Sequence, residues 1–135
     1  MAVLELLRGE ENNTISFGNH QLDTKAKVEN YEHCGDIYKV KTFRGMTKLE
    51  KNGMFLYESV PGTSVHNLEE SEQGVCFIVE GRENTEITLG LEDSTEYEVF
   101  LKNINIGKMK TSIGGKLNIS VELEENETIS VQIKK

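Results

Sequence analysis

The side chains able to do chemistry are few and far apart. His20, His33 and His66 are the only histidines, and no two have the His-x-His or His-x-x-x-His spacing that puts ligands on one metal. Cys34 and Cys76 lie 42 residues apart with no Cys-x-x-Cys pair, which argues against a zinc site. Cys34 follows His33 directly, so a thiol activated by an imidazole has to be weighed. Neighbours on a strand point to opposite faces, so the two meet only in a distorted turn. Cys76, inside an apolar run, reads as a small core residue. Gly114-Gly115-Lys116 lacks the upstream glycine and the following Ser or Thr of a phosphate loop, and reads as a tight hairpin turn between Met109 and Leu117.

Ten of the acids fall between Glu69 and Glu98, with Arg82 as the one base among them. Loops of this kind sometimes converge carboxylates on Ca²⁺, and Glu92, Asp93 and Glu96 are the candidate ligands. The competing reading is a solvated acidic edge, because there is no EF-hand spacing. No catalytic constellation emerges, and no cofactor is expected.

Composition narrows the classes further. With a net charge of −8 over 135 residues, a nucleic-acid partner is excluded in favour of a soluble module. Residues 1–60 carry −1 and residues 61–135 carry −7, a first indication of a boundary near Pro61-Gly62. No segment is long or apolar enough for membrane insertion as a helix. Met1 to Arg8 is apolar but short, carries Glu5, and reads as a first strand rather than an export leader, so a cytoplasmic location is expected.

The elements that must position these residues are strands. Helical spacing is nearly absent, and turn pairs recur every eight to twelve residues. Asn52-Gly53, between Lys48–Lys51 and Met54–Tyr57, predicts a type I′ hairpin. Leu117, Ile119, Val121 and Leu123 alternate with polar residues, as do Ile129, Val131 and Ile133; each run predicts one face in a core and one in water. Leu91 to Leu101, with Tyr97 opening a strand after a polar turn, has the spacing of a tyrosine corner, in which a buried ring bonds back to upstream backbone. The expected fold is all-β: a small N-terminal antiparallel lobe, residues 1–60, packed on an immunoglobulin/fibronectin-III-like sandwich, residues 61–135.

Three runs are apolar on both faces: Val3–Leu7, Met54–Tyr57 and Val75–Val79. Such strands need cover on both sides. Packing between the lobes provides it, or a subunit interface does, with Val3, Leu4, Leu7, Met54, Leu56, Cys76 and Ile78 as the contact candidates.

Gly53-Met-Phe-Leu-Tyr-Glu-Ser-Val-Pro-Gly-Thr-Ser-Val-His66, and Glu96-Tyr-Glu-Val99 with Gly107-Lys-Met-Lys-Thr-Ser-Ile-Gly-Gly-Lys-Leu117, resemble segments of short bacterial proteins that carry an endosialidase label. That resemblance implies association with sialic-acid polymers. Its residues do not support the activity: the chain has three scattered arginines, no Trp and no Asp box, and is too short for a propeller. Two functions are therefore carried forward. One is a non-enzymatic module that forms a homo-oligomer or binds another protein as a structural or adaptor element. The other is a glycan-binding module in which Tyr31 and Tyr38 stack on sugar rings while Lys39, Lys41 and Arg44 meet acidic groups.

Overall fold

The computed structural model describes residues 1–135, which form thirteen strands and their connections. They are β1 (Leu7–Gly9), β2 (Ile15–Phe17), β3 (Ala26–His33), β4 (Asp36–Phe43), β5 (Met46–Lys51), β6 (Met54–Val60) and β7 (Ser64–Ser71). Then follow β8 (Gly74–Glu80), β9 (Thr85–Gly90), β10 (Glu96–Leu101), β11 (Ile104–Lys110), β12 (Lys116–Val121) and β13 (Thr128–Lys134). A seven-stranded sheet runs β1-β2-β7-β8-β13-β10-β11, and a six-stranded sheet runs β12-β9-β6-β5-β4-β3. Every pairing is antiparallel. The expected all-β sandwich is what the chain forms, and no helix is long and apolar enough to cross a membrane.

The expected division at residue 60 does not separate two lobes. Strand β2 pairs with β7 and β6 pairs with β9, so each sheet is built from both halves. One cluster of 24 buried residues fills the space between the sheets. Tyr57 of β6 sits edge-on to Phe17 of β2 at 5.1 Å and to Phe77 of β8 at 5.6 Å, tying the sheets together through aromatic contacts. Pro61 does end a strand, as its missing donor requires, but the chain then crosses to the other sheet.

Local signals explain much of the pattern. Asn52 and Gly53 both take positive φ (52° and 77°), the type I′ geometry their identities favour. Tyr97 is buried and its hydroxyl accepts the Glu92 N–H at 3.3 Å, as the tyrosine corner requires; β9 and β10, on either side, lie in different sheets. Gly114-Gly115 does not close a hairpin, because β11 and β12 also lie in different sheets. Val3 to Leu6 is a turn rather than a strand: Leu6 has φ 69°, Val3 N–H donates to Gly18 and Gly18 N–H donates to Leu6.

The two-faced apolar runs lose most of their interface candidates to the interior. Val3, Leu7 and Leu56 are buried within the chain itself. Leu56 and Tyr57 both face inward because a register shift between Leu49 and Glu50 leaves Leu56 as the extra residue of a β-bulge. Leu4, Met54 and Ile78 are exposed and Cys76 is half-buried. Cys76 and Ile78 share the outer face of β8, whereas Leu4 lies in the N-terminal turn and Met54 opens β6 in the other sheet.

A shared core predicts a single cooperative transition for the full chain on thermal or urea unfolding. Residues 61–135 expressed alone lack β4, β5 and β6 and should show no cooperative transition by circular dichroism. Independent unfolding of the two segments would contradict the shared core.

Candidate functional site

Successive connections in an antiparallel sandwich alternate between its two ends, so those following β2, β4, β6 and β8 emerge together. They enclose a polar cavity of about 390 Å³ lined by His20, Arg44, Gly45, Pro61, Gly62, Arg82 and Glu83, with no hydrophobic side chain except the proline ring. Two of the chain's three arginines therefore reach one cavity. The sequence separates them by 38 positions, and the signal that joins them is the parity of the connections.

The cavity wall is held from below by buried hydroxyls. Asn19 N–H donates to Thr42 Oγ1 (2.9 Å), Thr42 Oγ1 lies 2.8 Å from Thr47 Oγ1, and Thr47 donates to the Thr63 carbonyl (2.8 Å). Thr63 N–H returns to Thr47 Oγ1, and Thr63 Oγ1 meets Tyr57 Oη at 2.7 Å and Ser59 Oγ at 2.8 Å. Thr42, Thr47, Tyr57, Ser59 and Thr63 are all fully buried. Burial pushes the Tyr57 hydroxyl far above its usual pKa, its bonds to Thr63 and Ser59 opposing, so it stays a neutral partner. The fourth connection is tied in by Thr85, whose hydroxyl donates to the Pro61 carbonyl at 2.8 Å.

Gly62 shows how closely the connections approach. Its N–H donates to the Arg44 carbonyl at 2.9 Å, and a Cβ there would lie 2.0 Å from the Phe43 carbonyl oxygen. Only glycine lets the two backbones close on each other.

His20 is 7 % exposed, and its Nδ1 lies 2.7 Å from Ser64 Oγ. Burial lowers its pKa below the usual 6.5, with Glu80 opposing and Arg82 reinforcing, so the imidazole is neutral. Its Nε2 has no partner in the chain and is not among the atoms sealed from solvent, which leaves it open to the cavity. The His20–Ser64 pair is not a nucleophile with its base, because Ser64 is fully buried and no third group orients the ring. Arg44 is 3.6 Å from Asp23 in an exposed ion pair, whereas Arg82 has no ion-pair partner at all. Glu80, two residues before Arg82, is buried and turned instead toward the Met1 amine and His66. Two guanidinium groups and a free imidazole nitrogen form a cradle for an anion, with bidentate geometry available at each arginine.

The residues singled out in the sequence do not gather there, Arg44 excepted. Tyr38 is buried, and Tyr31 spends its hydroxyl accepting the Gly9 N–H at 2.9 Å, so neither ring is free for a sugar. Lys39 and Lys41 lie on the outer face of the six-stranded sheet. Lys39 pairs with Glu29 at 3.7 Å; Lys41 has no carboxylate partner and sits opposite both Lys27 and Lys48. Glu92 and Glu96 turn to Lys135 (2.8 Å) and Lys108 (3.8 Å), and with Asp93 they do not converge; no three His, Cys, Asp or Glu groups are placed to hold a metal. His33 and Cys34 do meet, with Nε2 3.5 Å from Sγ, because Cys34 takes φ 51° in the distorted turn. The thiol also points to Asn13 Oδ1 at 3.5 Å, on the exposed surface.

Comparison with protein families, curated proteins and solved structures finds no match for this chain.

Two measurements test this geometry. Thr63→Val keeps the shape but leaves the Tyr57 and Ser59 hydroxyls short of a buried partner, and urea unfolding should show a loss of about 2–4 kcal/mol. His20 binds fewer protons folded than unfolded, so its contribution is complete above about pH 6.5 and falls as the pH drops below that value. His20→Gln should flatten the stability–pH slope between about pH 6.5 and the carboxylate range near 4.5. An unchanged slope would show that His20 is not held neutral by burial.

Proposed function

We propose that this chain is a non-enzymatic binding module that takes the carboxylate of an acidic sugar between Arg44 and Arg82. One observation carries the reading: the only arginine without an ion pair and a buried histidine with a free nitrogen line the same polar cavity. In a chain of net charge −8, two guanidinium groups left facing one cavity favour a carboxylate. The resemblance of Gly53–His66 and Glu96–Leu117 to sialic-acid-associated proteins points to the same ligand chemistry. Hydrolysis finds less support, since Glu83 is the one carboxylate lining the cavity and glycoside cleavage uses a pair.

The lysine row extends this reading from a single sugar to a polymer. Lys27, Lys41 and Lys48 face one another in register across β3, β4 and β5. Lys27 pairs with Glu29 at 3.1 Å and Lys48 with Glu50 at 3.8 Å, while Lys41 has no carboxylate partner. Like charges opposite each other destabilise a sheet. Lys41 is three residues from Arg44, about 10 Å along the strand, so a polyanion leaving the cavity has cations to follow.

Self-association is the second reading, and it rests on the edge strand β11. Ile104 and Ile106 are more than half exposed there, with the outer backbone edge unpaired. Light scattering at several concentrations tests it, and a strict monomer would remove it.

Titrating the protein with N-acetylneuraminic acid, followed by amide chemical shifts, should move Gly45, Gly62 and Arg82. Arg82→Gln should weaken binding about ten- to a hundredfold, the value of a lost charge-assisted bond. Equal affinity for the methyl ester, which lacks the carboxylate charge, would contradict the assignment.

A further inference from the structure

A second surface of different chemistry lies on the outer face of the seven-stranded sheet. A depression of about 340 Å³ spans β8, β13 and β10, and none of its nine lining residues is charged. That is unusual in a chain of which 28 % is charged. The register builds it: Cys76 lies opposite Gln132 and Gln132 opposite Phe100, while Ile78 lies opposite Ser130 one row away. Ile78 is 39 % exposed and Phe100 half-buried, so an apolar floor is open to solvent. Around it, Ser130, Gln132 and Asn103 have no side-chain partner in the chain, and Asn67 uses only its amide N–H, toward Thr14.

We infer that this depression binds a neutral sugar, with the apolar face of the ring on Phe100 and Ile78 and the hydroxyls on Gln132, Asn103 and Ser130. Amide side chains offer both donors and acceptors, as sugar hydroxyls require. An aromatic ring supplies flat apolar area at low entropic cost. The absence of charge gives an acidic ligand nothing to hold here. An extended peptide would need a free ladder edge, and β8, β13 and β10 are each paired on both sides. A second copy of the chain would need roughly 20–30 residues a side for a stable interface, well beyond nine. Burial raises the Cys76 pKa, with Glu69 acting in the same direction, so its thiol stays protonated at the edge of this floor. The site lies on the sheet face, away from the connection-end cavity, and does not depend on the acidic-sugar reading.

The test is a titration of the isotope-labelled full chain with cellotetraose, chitotetraose and maltotetraose into the tens of millimolar, read by amide chemical shifts. At least one should produce saturable shifts at Ile78, Phe100 and the Gln132 and Asn103 side-chain amides, while N-acetylneuraminic acid leaves these signals in place. Phe100→Ala and, separately, Gln132→Ala should each weaken that binding at least tenfold with the spectrum otherwise dispersed as in the parent. Gln132→Ala decides the matter if the Phe100 variant unfolds. No shift with any of the three sugars, shifts that survive both substitutions, or shifts produced by raising protein concentration alone would each overturn the assignment.

Discussion

The fully buried hydroxyl of Thr63 is the constraint on which the rest of the molecule depends. Around it, Thr42, Thr47, Tyr57 and Ser59 place polar atoms where water cannot reach, and each must find a partner inside the chain. They find them only if the connections after β2, β4 and β6 lie in fixed relation. Thr42 and Thr47 flank the Arg44-Gly45 turn, Thr63 follows Pro61-Gly62, and Asn19 precedes His20. The chain Asn19, Thr42, Thr47, Thr63 runs in one donor–acceptor direction, so its members polarise one another. Satisfying these buried hydroxyls fixes the backbone that carries the arginine cradle.

This arrangement makes the cavity preorganised rather than adaptable. Gly62 and Arg44 are joined backbone to backbone, Thr85 reaches the Pro61 carbonyl, and His20 is clamped to Ser64. The guanidinium groups project from turns whose main chains cannot separate without exposing the hydroxyl network. Little ordering cost then remains for a ligand, beyond the arginine side chains themselves.

The strands were legible in the sequence because alternation and turn chemistry are local. Asn52-Gly53, the alternating runs at Leu117–Leu123 and Ile129–Ile133, and the Leu91–Tyr97 corner all report on a few neighbouring residues, and all appear in place. What local pattern does not carry is which strands pair. Pro61 ends a strand whether the chain leaves a domain or crosses between sheets, so the boundary at residue 60 was indistinguishable from a crossover. The bulge at Leu56 reverses the inward face in mid-strand, and Tyr31 and Tyr38 look free only while the register of β3 on β4 is unknown. In the sequence Arg82 is only the one base of an acidic run, because its neighbours there are carboxylates, whereas its neighbours in space are Arg44 and His20.

Cooperation between the two arginines is the central claim, and a double-mutant cycle on affinity for an acidic sugar measures it most directly. If Arg44 and Arg82 grip one carboxylate, Arg44→Gln, Arg82→Gln and the double variant should show a coupling of about 1–3 kcal/mol. Strictly additive losses, or no loss from either, would mean that the two side chains do not share a ligand.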